Sequence, residues 1–432
     1  MGGNDVTFDN YYIWTIGCQM NKADSERLGS AMQNLGLHET LDPEKSDVIV
    51  LNSCVVRQSA EDKVTGMINS LKRTKQSRPN TVLALMGCMV GPQLKPLKDK
   101  FPHIDVFMRP QQYEPLIDLL GERLDIDVEG CLADLIPNKP SVTSYVPVIH
   151  GCDEFCSFCI IPYRRGRQVS RPIQEIVREV NLLVKRGVKE ITLLGQTVDA
   201  YGHDLPDRPD LSDLMRNIND IEGLSRIRFL TSHPNYMTDR IIQTIADLPK
   251  VCEHINLPFQ AGDDQVLINM RRSYRAEQYR DLVEKIRNTV PNVSMSTDVI
   301  VGFPQESYEQ FQTTLTMLRD LEFDKVHAAA YSPRHGTIAY RKIPDDVSYE
   351  DKKARLKALE DLQKTISTKI NARLEGKTQQ ILVESKSKDQ WQGRTRNDKI
   401  VYFSSDKNLL GEMVTVSIQT SSPWSLQGSL IQ

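Results

Sequence analysis

Residues 150–171 read HGCDEFCSFCIIPYRRGRQVSR, from His150 to Arg171, and set Cys152, Cys156 and Cys159 in a C-x3-C-x2-C spacing. The run from Tyr145 to Ile149 ahead of it has strand character, so the three cysteines fall on one turning loop that can aim its thiols at a single point. Three thiolates in one loop suit an iron-sulfur cubane, which takes a thiolate on each of three irons and leaves the fourth open. A structural zinc site closes its tetrahedral shell with a fourth Cys or His, and His150 is at hand. A zinc knuckle and a set of inert buried thiols therefore stand as the alternative readings of the spacing.

The chain has 432 residues, too many for one core, and two or three domains are expected. With 39% hydrophobic and 26% charged residues it has an ordinary globular composition. No apolar run approaches the roughly eighteen residues of a membrane helix, and no basic, apolar leader is visible, so neither a membrane partner nor a signal peptide is expected. The Met1-Gly2-Gly3 start carries Val6 where a myristoylation motif needs Ser or Thr, and a cytoplasmic location is the expectation. Eight cysteines in such a chain argue for metal or redox chemistry over disulfides. A net charge of -3 gives no overall signature of a nucleic-acid binder, so any such surface must be local.

Three further cysteines fall in matching places. Tyr11 to Ile16 runs into Gly17-Cys18, Val48 to Leu51 into Asn52-Ser53-Cys54, and Val82 to Met86 into Gly87-Cys88. Each is an apolar, strand-like run followed by a polar helical stretch, and the cysteines recur after 36 and then 34 residues. Functional groups of open parallel sheets gather at the carboxyl ends of the strands, so Cys18, Cys54 and Cys88 are expected to converge and to hold a second three-thiol cluster. The competing reading is three ordinary buried cysteines. Cys131 and Cys252 have no such partners and are expected to be structural.

The central loop, with Phe158 before its last cysteine, resembles the signature of the radical S-adenosylmethionine enzymes. TIGCQMN around Cys18, NSCVVRQSAEDK around Cys54, MGCM around Cys88 and CSFCIIPYRRG resemble the radical methylthiotransferases, and among them the MiaB-type branch, over essentially the whole chain. The resemblance implies an α/β architecture of three parts: an amino-terminal open parallel α/β domain (1–138), a central partial (β/α)6 barrel of the radical SAM type (139–371), and a small all-β TRAM barrel (372–432). It also implies that Cys152, Cys156 and Cys159 hold the 4Fe-4S cluster that cleaves S-adenosylmethionine, while Cys18, Cys54 and Cys88 hold an auxiliary 4Fe-4S cluster that carries sulfur. Both clusters would then face one cavity.

Six strand candidates follow in the middle of the chain: Tyr145 to Ile149, Glu190 to Leu194, Arg226 to Thr231, Glu253 to Leu257, Met295 to Val301 and Lys325 to Ala330, with amphipathic stretches such as Ile173 to Arg186 and Tyr274 to Thr289 between them. LLGQTVDAYG, TSHP, LPFQAG and STDVIVGFP resemble family segments, which makes Gly195, Gln196, Gln260, Asp298 and Gly302, with Phe158, the candidate cofactor contacts. Departures from the branch are Gln305-Glu306-Ser307 for GET, Arg167-Gln168 for EE, and Thr197 and Asp199 where relatives carry asparagine.

Arg164, Arg165, Arg167 and Arg171 fall within eight residues without an acid, and Arg271, Arg272 and Arg275 form a second basic group. Arginine suits phosphate, so Arg164, Arg165 and Arg167 are expected RNA contacts. After Pro344 the spacing of Leu356, Leu359, Leu362, Ile366, Ile370 and Leu374 predicts a connecting helix. Beyond Thr378, short alternating runs (Ile381 to Glu384, Ile400 to Phe403, Met413 to Ile418, Leu426 to Leu430) predict a small β barrel. Trp391, Arg394, Arg396, Lys399, Tyr402 and Phe403 offer groups that stack on bases or meet phosphates.

The activity that the resemblance implies is methylthiolation of C2 of N6-isopentenyladenosine at tRNA position 37, with two S-adenosylmethionine molecules and two 4Fe-4S clusters. Methylthiolation of N6-threonylcarbamoyladenosine, or of a ribosomal protein aspartate, is the alternative within the same chemistry. The implied partners are a tRNA anticodon stem-loop and a reductant such as flavodoxin or ferredoxin, and a monomer is expected.

Overall fold

The computed structural model describes residues 8–56, 58–133 and 135–431. The expectation drawn from Val6 lies outside the described residues. Two compact units are formed: Met1–Lys139 with His150–Asp153 and Ile160–Arg167, and Pro140–Ile149, Glu154–Cys159 and Gln168–Gln432.

The first unit is a parallel sheet of β1 (Asn10–Thr15), β2 (His38–Glu39), β3 (Val48–Ser53), β4 (Val82–Gly87) and β5 (Val106–Met108), in the order β2-β1-β3-β4-β5. β3 and β4 are buried at every residue, the pattern expected of strands covered on both faces. Their alternate side chains feed two cores: Val48, Val50, Val82, Ala84 and Met86 on one side, Ile49, Leu51, Leu83 and Leu85 on the other. The helices Gln19–Asn34 and Gln58–Ser77 return the chain after β1 and β3. Cys18, Cys54 and Cys88 therefore sit just past the carboxyl ends of β1, β3 and β4.

In the second unit the short strands β7 (Ile149–His150) and β8 (Val169–Ser170) accompany six longer ones: β6 (Thr143–Pro147), β9 (Glu190–Leu194), β10 (Arg226–Leu230), β11 (His254–Asn256), β12 (Ser294–Val301) and β13 (Lys325–Ala330). These six pair in parallel as β10-β9-β6 and β11-β12-β13, and a parallel bridge between Ile227 and Val251 joins the two halves. The result is an open run of six strands.

The carboxy-terminal barrel is closed by five strands, β14 (Thr378–Ser387), β15 (Gln390–Thr395), β16 (Ile400–Phe403), β17 (Met413–Ser421) and β18 (Leu426–Leu430), in the order β14-β15-β16-β18-β17. The sequence reading has four of them. It lacks β15 because the inward positions of QWQGRT are Trp391, Gly393 and Thr395, and only the first is a large apolar residue.

The connecting helix spans Tyr349–Ala372. Leu359 and Ile366 of the expected stripe are buried, but its innermost line also holds Lys352, Arg355 and Gln363. They are accommodated because Arg355 pairs with Glu306 at 2.7 Å and Gln363 donates to the Phe323 carbonyl at 2.9 Å.

Candidate functional site: two cysteine centres

In the first unit three strand ends are tied together by two asparagines. The Asn21 amide nitrogen donates to Asn52 Oδ1 (3.0 Å) and to the Ser53 carbonyl (2.8 Å), while Asn52 Nδ2 donates back to the Asn21 carbonyl (2.7 Å) and to Ser25 Oγ (2.8 Å). The Cys88 backbone N–H donates to the Ser53 carbonyl (2.9 Å), and the Cys18 thiol faces Asn21 Oδ1 at 3.4 Å. Gly87 is at φ +99, where a Cβ would lie 2.5 Å from both Asn52 Oδ1 and the Ser53 carbonyl oxygen. Only glycine permits this close crossing. Neither Asn21 nor Asn52 is in the sequence-based site list, although both lie inside the quoted motifs; their polar side chains buried at strand ends are the signal that could have found them.

The convergence of Cys18, Cys54 and Cys88 is also electrostatic. Burial pushes the Cys88 thiol up to about 11; Arg165 opposes this, and the Cys18 and Cys54 thiols add to it. Cys54 and Cys88 are buried, Cys18 is exposed, and none of the three is in a disulfide. Among the described residues no three His, Cys, Asp or Glu side chains close on a single metal-ion position. A cubane asks for something else, since each thiolate binds a different iron. Three thiols gathered past neighbouring strand ends, none in a disulfide and with Cys18 and Cys88 near a buried guanidinium, fit such an anionic cluster.

At the central loop, Gly151 at φ +68 leads into Cys152, whose N–H donates to the Gly166 carbonyl (3.2 Å). A turn brings the Cys159 N–H onto the Cys156 carbonyl (3.0 Å), and between them Ser157 is held by its N–H on the Met270 carbonyl (3.0 Å) and its Oγ on the Asn269 carbonyl (2.7 Å). Phe158 follows, half-buried. Cys156 is buried against Arg272, which donates to its Sγ (3.5 Å), to the Tyr274 hydroxyl (2.9 Å) and to the Pro258 carbonyl (2.9 Å). Among the described residues the hydrogen-bond partners of Arg272 besides the thiol are neutral oxygens, and it serves the loop instead of the basic surface expected for it. Thiols carried on one local loop, none in a disulfide and Cys156 beside a buried cation, fit a second thiolate-held cluster.

A polar network lies next to this loop. Glu154 accepts from the Tyr236 hydroxyl (2.7 Å) and faces His233 Nε2 (3.3 Å), and both Asp199 oxygens accept from the His233 N–H (3.0 and 2.9 Å). Burial raises Asp199 to about 8, with the Glu154 charge adding to it, and lowers His233 to about 2, assisted by Arg272. Near neutral pH Asp199 is mostly protonated and His233 neutral. A protonated carboxyl is close to an amide in shape and charge.

The candidate cofactor contacts divide. Gln260 adopts φ +69; its N–H donates to the Asp298 carbonyl (2.9 Å) and its carbonyl accepts from Ile300 (3.0 Å), locking it beside Asp298 on β12. Left-handed non-glycine residues held this firmly gather at functional sites. Gln196 is half-buried after β9. The two glycines also have packing reasons: a Cβ at Gly195 would meet Ile149 Cγ2 at 2.3 Å, and one at Gly302 would meet Lys352 Cγ at 2.4 Å.

The arginines expected to contact RNA all have protein partners. Arg165 is buried in an ion pair with Asp24 (2.9 Å), and Arg164 packs on Gly91 with its Nε buried. Arg167 is exposed and pairs with Asp153 (3.0 Å). Arg394 pairs with Asp398 (2.9 Å), and Arg396 forms a two-pronged pair with Glu253 while donating to the Pro249 carbonyl (2.8 Å). From the other side, Arg226 donates to the Arg394 carbonyl and Arg228 to the Arg396 carbonyl, each at 2.7 Å. These arginines dock the small barrel on the strands. Trp391 and Phe403 belong to the barrel core, and the exposed aromatic there is Trp424, between β17 and β18.

Three family models match the chain: the Radical SAM superfamily over residues 146–318, Uncharacterized protein family UPF0004 over 10–109, and the TRAM domain over 372–431. Among solved structures, the radical S-adenosylmethionine methyltransferase TsrM from Kitasatospora setae, with cobalamin and a 4Fe-4S cluster bound, superposes with a TM-score of 0.56 at 12% identity, over 75% of each chain. That likeness is one of fold, and with the cysteine loop it defines a radical S-adenosylmethionine protein. The tRNA-2-methylthio-N(6)-dimethylallyladenosine synthase of Dehalococcoides mccartyi is 46% identical over 421 residues, 98% of each chain. The protein of the same description from a Roseiflexus species is 47% identical, over 97% of this chain and 89% of that one. The chain belongs to this family of synthases.

Proposed function

We propose that the protein methylthiolates C2 of N6-isopentenyladenosine at position 37 of tRNA. The observation that carries this reading is the meeting of Cys18, Cys54 and Cys88 at three strand ends of a fold that already has a complete three-cysteine loop. Cleavage of S-adenosylmethionine needs one cluster; sulfur insertion is what gives a second one a purpose.

Cys152, Cys156 and Cys159 hold one 4Fe-4S cluster, and Cys18, Cys54 and Cys88 hold the other. When bound, these clusters and S-adenosylmethionine supply the adenosyl radical, the sulfur and the methyl group that an inert aromatic C–H bond requires. The chain's own residues prepare the setting. Arg272 orients the Cys156 sulfur. Neutral His233 and protonated Asp199 hold the hydrogen-bonded frame around Glu154 without adding charge near a thiolate-bound cluster. Gln260, in the loop after β11, and Asp298, within β12, present neighbouring polar groups, as a bound amino acid or ribose asks. Residues 1–138 serve sulfur delivery, 139–371 radical generation, and 372–432 RNA binding. The remaining partners are a flavodoxin- or ferredoxin-like reductant, and the protein works in the cytoplasm as a monomer.

The test is anaerobic reconstitution followed by assay with an isopentenylated anticodon stem-loop. Eight irons per chain are expected, together with a methylthio product that is lost in Cys54→Ala while deoxyadenosine formation persists. Four irons and no methylthio product would overturn the reading; product only with a threonylcarbamoylated stem-loop would reassign the substrate.

A further inference from the structure

Arg165 stands in an arginine-rich stretch of the chain, yet its side chain is only 2% exposed and that of its partner Asp24 only 1%. Nη2 donates to Asp24 Oδ2 at 2.9 Å and approaches Asn21 Oδ1 at 3.4 Å, the atom that also faces the Cys18 thiol. Nη1 of Arg165 is buried without a hydrogen-bond partner, as is Oδ1 of Asp24. The same guanidinium lies within interaction range of the Cys88 and Cys18 thiols. Burying a cation is expensive even when it is paired, and a bidentate pair with Asp24 would use both Nη atoms on one carboxylate. The structure shows a one-pronged pair with donor capacity left over on the side of the thiols.

We propose that Arg165 is a positioning residue of the amino-terminal cysteine centre: anchored by Asp24 and by the Asn21 oxygen that faces the Cys18 thiol, it sets the charge against which a cluster held by Cys18, Cys54 and Cys88 takes up an electron. This rests on the reading of those thiols as cluster ligands. Hydrogen bonds to ligand sulfurs and local net charge are two of the levers by which a protein tunes such a cluster. Asp24 and Arg165 act in opposite directions on the potential, so the pair makes a signed prediction. The guanidinium stabilises the reduced, more negative cluster, and the carboxylate offsets part of that effect.

The experiment uses the full chain with Cys152, Cys156 and Cys159 all changed to alanine, reconstituted anaerobically, with iron and sulfide counts and an EPR-monitored redox titration. Four irons are expected in this background. Arg165→Gln is expected to keep the cluster and shift its midpoint potential downward, Arg165→Lys to restore most of the shift, and Asp24→Asn to move the potential upward. Unshifted potentials in iron-loaded Arg165→Gln and Asp24→Asn would overturn the proposal while leaving the cluster reading intact. If Arg165→Gln fails to load iron, Asp24→Asn decides alone: an upward shift supports the proposal and an unchanged potential overturns it. A background protein that binds no iron removes the cluster reading and the proposal with it.

Discussion

The two cysteine centres are built by opposite means. The central one takes all its thiols from eight consecutive residues, whereas the amino-terminal one takes its thiols from three strand ends spaced 36 and 34 residues apart. The first is local chemistry carried on a loop; the second exists only when the parallel sheet is in register and Asn21, Asn52 and Ser53 bind the strand ends to each other. Their cations differ too. Arg165 is paired with a buried carboxylate, while Arg272 donates to a thiol, a hydroxyl and a carbonyl. A centre made by the fold should be lost to changes far along the chain, and a centre made by a loop should resist them.

Gly87→Val should break that contrast most severely. At φ +99, with backbone and Asn52 atoms 2.5 Å from the new Cβ, it is expected to destabilise the first unit by several kcal/mol, on the order of 3 or more. Iron analysis should fall from eight to four per chain with deoxyadenosine formation retained; an unchanged iron count would remove the argument that the strand ends make the site. Asn52→Ala is the milder version. It leaves buried partners unsatisfied, at roughly 1–3 kcal/mol each, and its unfolding midpoint should drop together with methylthio product but not with deoxyadenosine.

On the loop side, Arg272→Met keeps the length of the side chain and removes its three donors. An effect of about 10–100-fold on deoxyadenosine formation is expected, the usual range for groups that orient ligands, with the amino-terminal iron unaffected. Equal loss at both centres would blur the comparison.

Asp199 provides a test by pH. Its folded value of about 8 lies above the ordinary carboxylate value of 3.8, so the native state holds a proton that the unfolded chain has released. Stability is then present in full below about pH 4 and declines as the pH rises toward 8, with a slope of at most about 1.4 kcal/mol per unit for this group. Denaturation of Asp199→Asn should lack that component, and the variant should be the more stable protein at pH 8. Identical pH profiles for the two proteins would mean the carboxyl is not held neutral. The smallest effect is expected for Arg167→Ala, an exposed side chain in a surface ion pair, within about 0.5 kcal/mol in stability.

Much of the fold was legible because burial on both faces writes itself as continuous apolar runs. β3 and β4 begin with such runs, β9 and β12 were read although polar residues interrupt them, and the strand read as Tyr145 to Ile149 lies two residues earlier, at Thr143–Pro147. β15 was not legible, since glycine and threonine fill two of its three inward positions. The connecting helix shows the same limit from the other side: Lys352, Arg355 and Gln363 look like solvent-facing residues, and only Asp345, Glu306 and the Phe323 carbonyl, supplied from elsewhere, allow them inside.

The sequence by itself determined the chemistry of the central loop, where spacing alone confines three thiols, and the alternation of strands that carries the other three. The tertiary structure decided what each charged residue is for. Arg165 meets Asp24 from 141 residues away and Arg396 meets Glu253 from 143 residues away, so an arginine cluster that reads as a nucleic-acid surface becomes, once folded, a cation under a cysteine centre and a clasp between barrel and strands. A cation's role follows from its desolvation and its nearest opposite charge, and both are set by the folded chain rather than by neighbours in sequence.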